Sequence, residues 1–196
     1  MEGRFLFDLH VHSTNSSDSR LSPKAAMTRA RELGLRGLSF TDHDRLTVLE
    51  SPFDDLVLVS GAELSTGWGD LLAIGIRELP PADLPVPDII DIIHRQGGVA
   101  VVPHPFSGEL KAICMNERVL EVIDLVDGLE VTSPKSSVDN QKARRLAQKH
   151  GKAVVGGSDA HSVEAMGWGF TACAKGTVEG LLEAIRRGKT EAFIRQ

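Results

Sequence analysis

One rhythm runs through the chain: a short, almost unbroken apolar run, then an amphipathic stretch, then another apolar run. "RFLFDLHVH" precedes "SPKAAMTRARELG", and "LRGLSFTDH" follows. The second half continues with "PDIIDIIHRQGG", "VAVVPHP", "ERVLEVIDLV", "DGLEVTS", "SVDNQKARRLAQKHG" and "KAVVGGSDAH". Apolar runs of this kind read as strands buried on both faces, and a helix after each implies a parallel sheet covered by helices, doubly wound or closed into a barrel. "LVLVSGAEL" and "DLLAIGI" are strands joined by a short connection, and "GFTACAK", a helix in "TVEGLLEAIRRG" and a last strand in "TEAFIRQ" close the pattern. Ser22 before Pro23 reads as a helix start and Gly34 as its stop. With 196 residues, 41% of them hydrophobic, the expectation is a single α/β domain over 1–196, the Pro-rich "LPPADLPVP" being a loop within it.

Charge and cysteine content exclude several roles. A formal net charge of -5 offers no broad basic field, which disfavours long nucleic acid and anionic membranes as partners. No apolar run approaches the ~20 residues that span a bilayer, and the amino terminus lacks a secretory pattern. Cys114 and Cys173 lie far apart without C-x-x-C spacing, which fits a reducing cytoplasm better than a disulfide framework.

Within the first strand, Asp8, His10 and His12 recur at every second position, so they share one face while Phe7, Leu9 and Val11 take the other. A lone His-x-His is as well explained by a hydrogen-bonded core. Here, however, five of the seven histidines, His10, His12, His43, His104 and His161, fall at carboxyl ends of expected strands. Asp18, Glu63, Glu130 and Asp159 fall at comparable places. In parallel α/β folds those ends form the ligand-binding rim, so donors remote in sequence converge there. Nine nitrogen and oxygen donors exceed what one divalent ion takes, which implies two or three ions, and a set without thiolate suits zinc, manganese or iron used for hydrolysis. His94 and His150 belong to helices and are left outside the set. Asp8 is expected one step deeper, orienting an imidazole, while Asp42 and Asp44 are either hydrogen-bonding partners of the site or solvated loop.

In order, "HVHSTNSSDS", "TDHD", "GAEL", "PHP", "GLEV" and "GSDAH" resemble the motif series of the PHP family, the polymerase and histidinol phosphatase domain. The resemblance covers essentially the whole chain and implies a distorted (β/α)7 barrel with a two- or three-metal centre. It places His10, His12, Glu63 and Asp159 around one metal and Asp18, His43 and His161 around a second. Glu63, His104 and Glu130 would hold a third. Two departures stand out: Asp18 comes six residues after His12 and precedes Ser19, where many members have Asp-Gly at five. Before "LLAIGI", many short relatives carry a histidine and this chain has Asp70, a replacement ligand or a turn residue.

Such a site implies metal-assisted hydrolysis without a covalent nucleophile. His12 and His161 are also candidate proton donors to a leaving alkoxide. Arg20, Arg45 and Lys135 follow motif segments and are candidates to clamp a second anionic group, against the alternative of solvated surface charge. Trp68 and Trp168 are either core fillers or an apolar wall for a base or small ring. The expected activity is that of a free-standing cytoplasmic phosphoesterase acting on a small phosphate ester, a phosphomonoester or nucleotide. An exonuclease or oligonucleotide phosphodiesterase of the same family, and a non-catalytic metal-binding module, are the alternatives. An amidohydrolase is disfavoured because "VVPHP" and "GLEV" lack the metal-bridging lysine.

Overall fold

The computed structural model describes residues 3–195 except 82, 107–112, 133, 135 and 136. The first strand, β1 (Phe5–Val11), pairs in parallel with β2 (Gly37–Phe40), and β2 with β3 (Val57–Val59). Between β1 and β2 runs α1 (Pro23–Glu32), whose start is fixed by the Ser22 hydroxyl accepting the Ala25 N–H at 3.3 Å. Gly34, at φ +73°, turns the chain out of that helix.

The expected strand "LVLVSGAEL" divides at Ser60. β3 stays with β2, while β4 (Gly61–Thr66) joins β5 (Gly69–Ile74) in a second sheet. β4 and β5 are antiparallel, as are β5 and β6 (Val99–Val102), which corrects the wholly parallel expectation. The cause is the turn: Gly67 and Trp68 alone join β4 to β5, too few residues for a crossover. Gly69, at φ +123°, is packed so closely that a Cβ would lie 2.7 Å from the Met115 nitrogen, pinning this hairpin to the segment after β6.

Helix α2 (Val86–Arg95) precedes β6. After β6 come a 3-10 turn (Asn116–Arg118), α3 (Val119–Val122), β7 (Gly128–Glu130), α4 (Ser137–Lys149) and β8 (Ala153–Val155). α3 is far shorter than "ERVLEVIDLV" promises. Asp127 explains the stop, because its carboxylate accepts the Ala100 N–H and faces His94 Nε2, both at 2.8 Å, drawing the chain back to β6. β9 (Gly169–Cys173), α5 (Val178–Arg186) and β10 (Glu191–Ile194) complete the chain, with β9 antiparallel to both β1 and β10.

Among the described residues the ladders form two five-stranded sheets, β10-β9-β1-β2-β3 and β4-β5-β6-β7-β8, rather than one closed barrel. Isolated bridges join them, His43 to Glu63 and Val11 to Ala160. Phe7 and Leu9 of one sheet share a core with Leu72, Ile74, Val99, Val101 and Val155 of the other, and Leu181 and Ile185 of α5 pack on it. Ligand motifs on both sheets are thereby held at fixed separation.

Candidate metal centre

The tightest group is His10, His12, Glu63 and Asp159. His10 Nε2 and His12 Nε2 are 3.1 Å apart. Glu63 Oε2 lies 3.3 and 3.2 Å from them, and Asp159 Oδ1 3.5 and 3.3 Å. Ligand bonds of about 2.0–2.1 Å in a tetrahedral zinc-type site separate the ligand atoms by about 3.3–3.4 Å. The two imidazoles are therefore spaced to share one divalent ion with either carboxylate. Close approach by the chain makes this possible: a Cβ at Gly157 would stand 2.4 Å from His10 Cβ, so only glycine lets the "GGSDAH" segment lie against β1. Asp159 at φ +51° and His104 at φ +27° hold left-handed conformations that non-glycine residues seldom adopt, and such backbone strain clusters at functional sites.

The second group is more open. Asp18 Oδ2 is 3.4 Å from His43 Nε2 and 3.1 Å from His161 Nε2, with these side chains between a third and a half exposed. His12 contributes a ligand atom within 4.8 Å of the others. Glu63 connects the groups, since its Oε2 is also 3.3 Å from His43 Nδ1 and its Oε1 is 3.2 Å from His104 Nε2. His10, Glu63 and His104 form a third, fully buried group.

Partner chemistry sets which nitrogens face inward. His10 Nδ1 meets Glu130 Oε1 at 3.2 Å, and His161 Nδ1 meets the Asp159 carbonyl at 3.0 Å; these oxygens only accept, so each Nδ1 carries the proton. Ser16 does the same for His12. Its one hydroxyl proton goes to Asp42 Oδ1 at 3.0 Å. Its oxygen accepts the His43 N–H at 3.0 Å, leaving His12 Nδ1, 3.3 Å away, as donor. In each case the lone pair is left on Nε2, where the donor groups converge. Ser16→Ala is expected to weaken binding at this position by about 10- to 100-fold in chelator competition, with Ser16→Thr restoring it. Unchanged affinity in Ser16→Ala would remove this role.

Glu130, which the resemblance places in the ligand set, touches two histidines of the centre. Its Oε1 faces His10 Nδ1 and its Oε2 accepts the His104 N–H at 2.9 Å, so it orients two histidines. Asp8 differs from expectation: Oδ1 accepts the Ser158 N–H at 2.9 Å and the His10 N–H at 3.4 Å, orienting backbone rather than an imidazole. Asp42 is buried and receives Ser13, Ser16 and Thr47, whereas Asp44 is exposed and accepts the Ser65 N–H. Two features escaped sequence reasoning. Ser16 is one of several serines in its loop, and Cys114 places Sγ 3.5 Å from His104 Nδ1, with no spacing to mark it.

Electrostatics show an arrangement that calls for cations. Burial lowers the pKa of His10, but Glu63, Glu130 and Asp159 overcome it and hold it well above the ordinary value. Burial likewise opposes His104, which its Cys114 hydrogen bond and Glu63 push up to about 10. Burial would raise Glu63, yet His10, His104 and His12 hold it well below the usual carboxylate range. Asp70 is pushed up to about 7 by burial and by the charge of Glu63, against His104 and His10.

Around this centre, Arg20 and Arg45 are exposed and their side chains have no ion pair among the described residues. Their N–H groups bond to the carbonyls of His161 and Asp42 at 3.2 and 3.3 Å. Lys135 lies outside the described residues. Trp68 is partly buried against the core with Arg118 5.6 Å from its ring, while Trp168 is 41% exposed.

A mixed α/β scaffold that brings three connected groups of His, Asp and Glu donors together defines a metal-dependent type of fold with candidate sites for more than one ion. The sequence profile of the PHP domain matches residues 8–65 and the PHP-associated profile residues 138–190. The chain belongs to the PHP family.

Two relatives from Methanocaldococcus jannaschii are the uncharacterized proteins MJ0417 and MJ1587. The first is 29% identical over 165 residues (82% of this chain, 67% of that protein), the second 31% over 140 residues (63% and 79%). The 5'-3' exoribonuclease Rnm of Escherichia coli is 36% identical over 70 residues, 32% of this chain and 24% of that protein. Among solved structures, a two-domain protein of Bacteroides vulgatus containing a predicted PHP-like metal-dependent phosphoesterase superposes with TM-score 0.79 at 18% identity. The match covers 99% of this chain and 66% of that one. Endonuclease Q in complex with a 27-mer duplex superposes with TM-score 0.65 at 16% identity, covering 93% and 56%. At these identities the structural matches speak to the fold.

Proposed function

We propose that the protein is a metal-dependent phosphoesterase hydrolysing a small phosphate ester, a phosphomonoester or nucleotide, with two or three zinc, manganese or iron ions held at the rim. The observation that carries this reading is the convergence of His10 Nε2 and His12 Nε2 with carboxylate oxygens of both Glu63 and Asp159 at ligand-like separations, with Glu63 linking to two further groups. Ions bound there lower the pKa of water toward neutrality and neutralise phosphoryl oxygens. The chain's own part is to fix imidazole tautomers through Glu130, Ser16 and the Asp159 carbonyl. Three divalent ions against the carboxylates of Asp18, Glu63, Glu130 and Asp159 leave a formal charge of about +2, which attracts compact anions within an acidic protein.

Arg20 and Arg45 supply the second anion contact. With side chains free of ion pairs and backbones tied to the ligand loops, they suit a substrate carrying a carboxylate or second phosphate beyond the scissile group. Arg20→Ala with Arg45→Ala is expected to raise KM by about tenfold while changing kcat little, since uniform binding is what they add. A fall in kcat at unchanged KM would deny them this role.

The deciding experiment is a metal-supplemented screen of sugar phosphates, histidinol phosphate, mononucleotides, nucleoside bisphosphates and short oligonucleotides. A small ester is expected to give the highest kcat/KM. Preference for oligonucleotides by about a hundredfold, worth about 2.7 kcal/mol, would favour the nuclease reading instead. The openness of the Asp18, His43 and His161 group is compatible with a strand end. Fully loaded protein that acts on none of these substrates would be the non-catalytic module. None of the described helices is long and apolar enough to cross a membrane, and the proposed setting is the cytoplasm.

A further inference from the structure

We infer that Asp70 supplies a carboxylate to the Glu63 and His104 group, and that this oxygen-rich position takes a harder, more exchangeable cation than its nitrogen-rich neighbours. The inference rests on the reading of the rim as a metal centre and says which ion goes where.

Three observations carry it. First, β4 and β5 pair Glu63 with Leu72 and Ser65 with Asp70; residues two apart on a strand share a face, so Asp70 lies on the Glu63 face, one step along the hairpin. Second, Asp70 is only 4% exposed, and its Oδ2 is buried without a hydrogen-bond partner. An oxygen removed from water with no donor is costly unless a cation meets it. Third, Glu130 is already spent on His10 and on the His104 N–H, so it does not complete this group.

Donor chemistry then sorts the ions. His10 and His12 face Glu63 and Asp159, and His43 and His161 face Asp18, so imidazole makes up half or more of each set. His10 has one free nitrogen, Nε2, and it faces His12 and Asp159 of the first set, so the third position is left with Glu63, Asp70 and His104 and the balance reverses. Imidazole suits zinc and iron, whereas carboxylate suits manganese and magnesium, and hard ions held by few protein ligands exchange readily.

The test uses the full chain, stripped of metal and reloaded with zinc, dialysed, then titrated with Mn2+ and followed by electron paramagnetic resonance and elemental analysis. Wild-type protein should take up about one Mn2+ beyond the zinc it retains. Asp70→Asn, which preserves shape, should keep that zinc and bind the added Mn2+ at least about tenfold more weakly. Asp70→His should take zinc at that position in place of Mn2+. As a check independent of loading, Asp70→Asn should raise the melting temperature of the stripped protein at pH 8, because a neutral amide replaces a buried carboxylate that stands near the charge of Glu63. If Asp70→Asn binds zinc and Mn2+ like wild type, Asp70 is a neutral buried acid and the inference falls while the metal centre stands. If wild-type protein retains no metal at all, both fall.

Discussion

Glu63→Gln is expected to lower hydrolysis by about a thousandfold or more and to reduce metal content in more than one position at once. Every group of donors meets this side chain. Oε2 is 3.2–3.3 Å from nitrogens of His10, His12 and His43, and Oε1 is 3.2 Å from His104 Nε2. An amide of the same shape presents one oxygen instead of two and no charge, so the ions lose a shared anion and their mutual repulsion is less well screened. In the metal-free protein the same change leaves His10 and His104 without the carboxylate that holds their protons. Elemental analysis and a fixed-substrate assay on one preparation check this. Loss of a single equivalent with activity within tenfold of wild type would mean that Glu63 serves one ion and that the groups are independent.

The histidines that form the centre were legible because they sit where strands end, and strand ends are the most readable feature of an alternating α/β chain. His10, His12, His43, His104 and His161 all reach it. What a period of two cannot tell is depth. Asp8 shares a face with His10, yet β1 carries a register irregularity between Asp8 and Val11, and Gly157 brings the Ser158 N–H to the Asp8 carboxylate. Glu130 comes to the same rim at the end of β7, with its Oε1 against His10 Nδ1 and its Oε2 on the His104 N–H. Sheet direction departed from the expectation at β5, where the two-residue Gly67-Trp68 turn is too short for a helix, and at β9, which is antiparallel to both β1 and β10. Ser16 was invisible because a hydroxyl's role depends on the three groups around it, and these come from two separate stretches, His12 at the end of β1 and Asp42-His43 after β2.

Removal of the ions is expected to make the folded chain less stable as pH rises from about 5 to 8, and to make the stabilisation conferred by added Zn2+ or Mn2+ grow over the same range. His10, His12 and His104 have folded-state pKa values raised above the ordinary 6.5, His104 to about 10. Their contribution is complete below about pH 6.5 and is lost as pH climbs through the folded values. Asp70 and Asp8 act in the same direction lower down. Raised from 3.8 to about 7 and about 6, they keep protons in the folded chain that the unfolded chain has released, so stability falls between about pH 4 and 7. Glu63 works oppositely, but only near and below its ordinary 4.5, where it loses its charge and its histidine partners. Metal loading needs those imidazoles and carboxylates free of protons, so binding releases protons and strengthens with pH. The stripped protein should therefore melt highest near pH 5 and several degrees lower at pH 8. The reloaded protein should gain most at pH 8. Melting curves of both forms in matched buffers measure this. A stripped protein whose Tm is flat or rises from pH 5 to 8 would show that the buried histidines do not hold protons for Glu63, and that the donors are not arranged around a missing positive charge.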